Sequence, residues 1–152
     1  MIPKTEILIY NLVERNIPSQ KFFQGLIKKI LIALGEKEKV SLSLIFINAQ
    51  ESKKLNKYWR NKDIVSSVLS FPLYQNFPTE LQKQEKILGD IFLCPEKIEE
   101  QIQDLEILPL LFYKKIIIHS LLHLYGYTHD KEKDRKRMER LENKIFRFIN
   151  NK

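Results

Sequence analysis

The chain has one cysteine, one tryptophan, four glycines, six prolines and three histidines in 152 residues. A lone cysteine, Cys94, cannot form an internal disulfide. That excludes the stapled frameworks of small secreted domains and points to a reducing compartment, the cytoplasm. So few glycines and prolines exclude collagen-like and linker-like chains. No apolar run approaches the roughly 20 residues a membrane helix needs; stretches such as Leu42 to Ile47 and Ile116 to Ile118 fall far short. The opening MIPKTEILIYNLVERN lacks a basic start, a long apolar middle and a small-residue cleavage site, so no secretion signal is expected. Acidic residues are also few. Asp plus Glu number 19 against 26 for Lys plus Arg, a formal charge of +7. The excess suits a polyanion such as nucleic acid, and equally suits a well-solvated, lysine-rich surface.

What is present is enough apolar residue for one core, so one domain over residues 1–152 is expected. Thr5 to Val13 reads as a strand. Ser19 can cap a helix through Leu34, where Phe22, Phe23, Leu26, Ile27, Ile30 and Leu34 recur at helical spacing, and Gly35 sits where that helix would turn left-handed. Val40 to Ile47 reads as an inner strand. Asn48 caps a helix to about Trp59, and Arg60 to Ile64 form a polar break. A strand follows near Ser66 to Leu73, then an irregular stretch over 74–86, then a strand from Leu88 to Cys94. Pro95 and Pro109 open helices to about Leu105 and Tyr125. A last helix runs from about Asp130 to Asn150, with Met138, Leu141, Ile145, Phe148 and Ile149 as its apolar stripe. About four strands in a mixed sheet and about five helices make an α+β domain.

All three histidines fall within HSLLHLYGYTH, His119 to His129. His119 and His123 are four apart, which puts both imidazoles on one helix face, a turn apart. Gly126 stops the helix, and a turn there brings His129 back toward the same point. Three imidazoles with a fourth position left open are the ligand set of a catalytic zinc ion, as on the helix of a metalloprotease. Metzincin peptidases carry this spacing with a glutamate after the first histidine, as general base. Here that position is Ser120, whose hydroxyl cannot take a proton from water at neutral pH. The cage is kept, and the peptidase's base is missing.

Leu55 to Pro72, LNKYWRNKDIVSSVLSFP, is the second unusual stretch. Arg60 at the end of a helix suits a two-pronged grip on phosphate, or a plain helix-end arginine satisfying carbonyls. In LGDIFLCPEK, Gly89 permits a close backbone approach and Asp90 reads as structural. Arg135, Arg137 and Arg140, in RKRMER, either track a phosphate backbone or form the solvated face of a helix.

Together these stretches resemble the YbeY family of bacterial rRNA maturation factors. The family's H-G-x-L-H-L-x-G-Y-D-H appears as HSLLHLYGYTH. Its L-N-x-x-Y-R-x-K-D-x-x-T-D-V-L-S-F-P appears as LNKYWRNKDIVSSVLSFP, and its L-G-D-I as Leu88 to Ile91. Ser120 stands for the family's Gly, Thr128 for an Asp, Ser66 for a Thr and Ser67 for an Asp. The resemblance implies one Zn2+ held by His119, His123 and His129. It implies a single-strand-specific endoribonuclease that matures the 3′ end of small-subunit ribosomal RNA and serves ribosome quality control, with ribosomal RNA and small-subunit components as partners. The family's arginine falls on Arg60, a phosphate binder or transition-state stabiliser. Two other readings stand beside this one. The first is a metal-dependent peptidase using the same cage. The second is a non-catalytic ribosome-binding factor braced by its zinc.

Overall fold

Val40, Leu42, Leu44 and Phe46 alternate with serines and Ile45, and a period of two sends alternate side chains to one face of a strand. In the computed structural model, which describes residues 4–73 and 85–151, all four are buried on β2 (Val40–Phe46). This strand is internal. It pairs in parallel with β1 (Thr5–Asn11) on one side and β4 (Lys86–Leu93) on the other. β3 (Val68–Pro72) runs antiparallel to β4 and forms an edge, giving the order β1-β2-β4-β3. The five described helices are α1 (Gln20–Ala33), α2 (Ala49–Arg60), α3 (Pro95–Leu105), α4 (Pro109–Leu124) and α5 (Glu132–Asn150). The mixed four-stranded sheet and five helices match the α+β expectation.

Local chemistry sets the helix ends. The Phe22 amide donates to Ser19 Oγ at 3.1 Å, and the Glu51 amide to Asn48 Oδ1 at 2.9 Å. Each such cap is worth about 1 kcal/mol. α1 and α4 close with the same motif. Gly35 has φ 75°, and the Glu36 and Gly35 amides donate back to Leu31 O and Ile32 O at 3.0 Å. Gly126 has φ 97°, and the Tyr127 and Gly126 amides donate to Leu122 O and His123 O at 3.0 and 2.9 Å. A residue without Cβ takes the left-handed turn this closure requires.

Some details differ from the sequence reading, among them the ends of several elements. Arg60 is the last residue of α2, and the loop begins at Asn61, with φ 56°. β4 starts at Lys86, whose ammonium is drawn to Glu36, so Lys86 lies outside the irregular stretch; residues 74–84 of that stretch lie outside the described residues. Phe148 is 49% exposed. It shares the flank of Leu141, two turns on, where less core remains to cover it.

The core lies between one sheet face and α1, α4 and α5. α4 is its centrepiece, with Phe112, Tyr113, Ile117, Ile118, Leu121, Leu122 and Leu124 all buried. Burying one such side chain contributes about 1.5–3 kcal/mol. The end of α4 is seated through Leu124 on Gly89 of β4. Gly89 has φ 140°, and a Cβ there would stand 2.2 Å from Phe71 O and 3.1 Å from Leu124 Cδ2. The glycine of LGDI is what lets β3, β4 and the histidine-bearing helix come together.

Candidate metal centre

Because α4 is regular through His119 and His123, their rings project from one face, edge to face with centroids 4.5 Å apart. The closure at Gly126 reverses the chain and sets the His129 ring 5.0 Å from His123 and 5.7 Å from His119. One nitrogen from each of the three lies within 4.8 Å of the others.

Each helix-borne ring is held from behind. His119 Nδ1 donates to Glu142 Oε2 of α5 at 2.9 Å. His123 Nδ1 donates to the Tyr127 carbonyl at 2.8 Å. A carbonyl and a carboxylate accept, so the proton of each neutral ring sits on Nδ1 and the lone pair on Nε2. The two Nε2 atoms face one another at 3.0 Å. Lone pairs at that distance repel unless a cation or a proton lies between them. Tetrahedral zinc with N ligands at about 2.0–2.1 Å separates its nitrogens by about 3.3 Å. The donor set and its spacing therefore fit a divalent ion.

Electrostatics favours the ligand form. Burial, reinforced by the neighbouring His119, His129 and Arg60, pushes the pKa of His123 down to about 4, against the upward pull of the Tyr127 carbonyl. His123 is thus neutral at pH 7, with no proton to displace when metal binds. Ser120 is fully buried, and its Oγ has no hydrogen-bond partner among the described residues. It faces the core and stands away from the imidazole face, one residue round the helix.

Arg60 sits across from the histidines. Its Nη2 donates to Ser70 O of the edge strand at 3.3 Å, and its charge reaches His123. The loop after it is pinned by two buried polar side chains of α2. Asn56 Nδ2 donates to Ile64 O at 3.0 Å, and Ser52 Oγ exchanges hydrogen bonds with Ser66 O and Ser66 N at 2.6 and 2.9 Å. The motif's Asn and the serines around it are thus a brace for Arg60. Asp90 pairs with Ser43 across the β2–β4 ladder.

The α5 arginines have different surroundings. Arg135 is held by Glu132 and Glu139, both at 2.7 Å. Arg137 lies over the Tyr127 ring at 5.8 Å, so it covers the turn behind the histidines. Arg140 is exposed on the outer face.

Glu142 and Glu36 are site residues that sequence reasoning missed. Tyr125, at the end of α4, donates its hydroxyl to Glu36 Oε1; Lys86 Nζ stands 3.0 Å from Glu36 Oε2, and the Lys37 and Glu38 amides donate to that oxygen at 3.0 and 3.2 Å. Burial alone would raise the Glu36 pKa, but the bonds from Tyr125, Lys86 and the backbone outweigh it and hold the carboxyl below its ordinary range. The helix carrying two imidazoles is tied through this carboxylate to the α1–β2 turn. Its only sequence signal is an acid just after a helix-ending glycine.

Comparison with known proteins agrees with this geometry. The family model described as "Endoribonuclease YbeY" matches residues 9–150. A protein of that name from Spiroplasma citri is 34% identical over 145 residues, covering 93% of this chain and 92% of the relative. Another, from Buchnera aphidicola of Acyrthosiphon pisum, is 36% identical over 139 residues, covering 91% and 85%. A third, from Clostridium botulinum, is 33% identical over 156 residues, covering 90% and 94%. The solution structure of a structural-genomics target from Thermotoga maritima superposes with a TM-score of 0.56 over 92% of this chain and 89% of that one, at 23% identity, which speaks for the fold alone.

Proposed function

Since the chain belongs to the YbeY endoribonuclease family, we propose that it is a single-domain, zinc-dependent endoribonuclease that cuts single-stranded RNA. Its substrate is ribosomal RNA at the 3′ end of the small subunit, and its setting is ribosome maturation and quality control in the cytoplasm. The convergence of three imidazole nitrogens within 4.8 Å, two of them anchored from behind, carries this reading.

His119, His123 and His129 would hold the ion. When bound, it supplies Lewis acidity toward a phosphoryl oxygen and makes water more acidic. The chain's own residues do the rest. Glu142 and the Tyr127 carbonyl fix which nitrogen of each helix-borne ring is offered, and at what angle. Arg60, braced on the edge strand, offsets the negative charge that gathers on phosphoryl oxygens in the transition state. The surplus of seven positive charges draws the RNA in, so binding weakens as salt rises. Ser120 supplies no general base, because it is turned into the core. This weighs against the peptidase reading.

The test is metal analysis of the native protein beside a cleavage assay on a defined single-stranded RNA, for wild type and His123→Ala. The wild type should hold one zinc per chain and cut. The variant should lose both properties. Cutting at an undiminished rate by metal-free protein would refute the proposal, and RNA binding without cutting would leave a zinc-braced binding factor in its place.

A further inference from the structure

Two large aromatic side chains stand in solvent immediately before Arg60. Tyr58 is 78% exposed and Trp59 is 62% exposed. Single exposed apolar residues need no explanation, but these two adjoin. Their rings meet edge to face, with centroids 4.9 Å apart. Trp59 in turn abuts Phe71 of β3 at 6.1 Å, and Phe71 abuts Phe92 of β4 at 5.6 Å. A row of four rings thus runs from solvent down onto the sheet face opposite the core. Phe71, backed by Phe92, holds Trp59 from below and leaves most of its surface open.

Cations share the turn that carries the outer two rings. Lys57 and Arg60 lie in the last turn of α2. A groove of about 640 Å³ reached through Arg60 is bordered also by Lys53, Lys62 and Lys97, with Asp63 as its one acidic border. Arg60 joins the two regions. Its guanidinium bonds to Ser70 O on the edge strand, and the buried Ser70 lies on the opposite sheet face from Phe71, the face against which α4 and its histidines pack. A polymer rounding this edge would meet exposed rings, then a fixed guanidinium, then the imidazoles.

We infer that Tyr58 and Trp59 are a stacking platform for unpaired bases of RNA, next to the phosphate grip of Arg60. This inference rests on the endoribonuclease reading and deepens it. Stacking needs a base whose face is free, which a duplex does not offer, and it tolerates any base because each has a π face. The rings would therefore select single strands without selecting sequence. A neutral apolar protein partner fits less well, because the helical turn that carries the rings also carries Lys57 and Arg60.

Trp59 is the only tryptophan of the chain, so its fluorescence reports the platform directly. The experiment titrates metal-loaded protein with a short 5′-labelled oligouridylate, verified on a denaturing gel to be uncut at each point read, the same length of abasic oligomer, and an RNA duplex. Binding is followed by label anisotropy and stacking by Trp59 emission. Oligouridylate should quench Trp59, while the abasic oligomer and the duplex should not. Tyr58→Ser with Trp59→Leu should weaken oligouridylate binding about 5- to 100-fold. Tyr58→Phe should bind like wild type, and zinc content should stay the same in all. Oligouridylate that binds without quenching, or with equal affinity for the double variant, overturns the platform while leaving the endoribonuclease reading intact. A wild type that neither binds nor cuts single-stranded RNA overturns both.

Discussion

Glu142 Oε2 accepts a hydrogen bond from His119 Nδ1 at 2.9 Å across the α4–α5 interface, from 23 residues away in sequence. Carboxylates in this relation fix ring orientation and raise ligand basicity. Glu142→Ala should lower zinc affinity about 10- to 100-fold, read by competition with a chromogenic chelator. Glu142→Gln, which keeps an acceptor and loses the charge, should fall between. Equal affinity in all three proteins would show that the contact is incidental.

Glu36 gives the pH prediction. Its folded-state pKa lies below the ordinary value near 4.5. The unfolded chain therefore binds the proton first as pH falls. The stabilisation is present above about pH 4.5 and is lost as pH drops through the folded pKa. Glu36→Gln should cost about 2 kcal/mol at pH 7, shrinking toward zero in acid. Urea denaturation of both proteins between pH 3 and 7 measures the difference, and a gap that stays constant with pH would contradict it.

Gly89→Ala should be severe. The added methyl carbon would stand 2.2 Å from a backbone oxygen that cannot swing aside, and φ 140° is already strained for a side chain. A loss above about 4 kcal/mol, or failure to yield soluble protein, is expected. A midpoint within error of wild type would mean that β3 slides away freely.

Ser120→Ala should go the other way. The fully buried hydroxyl has no partner among the described residues, and such a group costs about 1–3 kcal/mol. Its removal should stabilise the protein by about 1 kcal/mol and leave zinc content unchanged. A destabilised variant would reveal a partner for Oγ.

The histidine pair was readable because both residues lie on one regular helix, where spacing dictates direction. Gly126 was readable because few residues accept its backbone angle. Ser19 and Asn48 announced their helices through side chains that reach only three residues. Glu142 left no such mark. It meets His119 only because α4 and α5 pack together, and on its own helix it looks like any acid beside a lysine-rich surface. Asn56 and Ser52 were hidden for a related reason, since their partners lie in a loop whose path no local rule predicts. The apolar stripe of α5 misplaced Phe148 because periodicity fixes a side chain's direction and says nothing of how far the core extends.

α4 is covered along nearly its whole length by the sheet and its neighbouring helices. Segments enclosed in this way exchange their amide hydrogens only when the whole domain opens. His119 and His123 therefore belong to the last part of the molecule to come apart, whereas His129 is exposed beyond the Gly126 turn, so an ion can leave by way of that third ring while the domain stays closed.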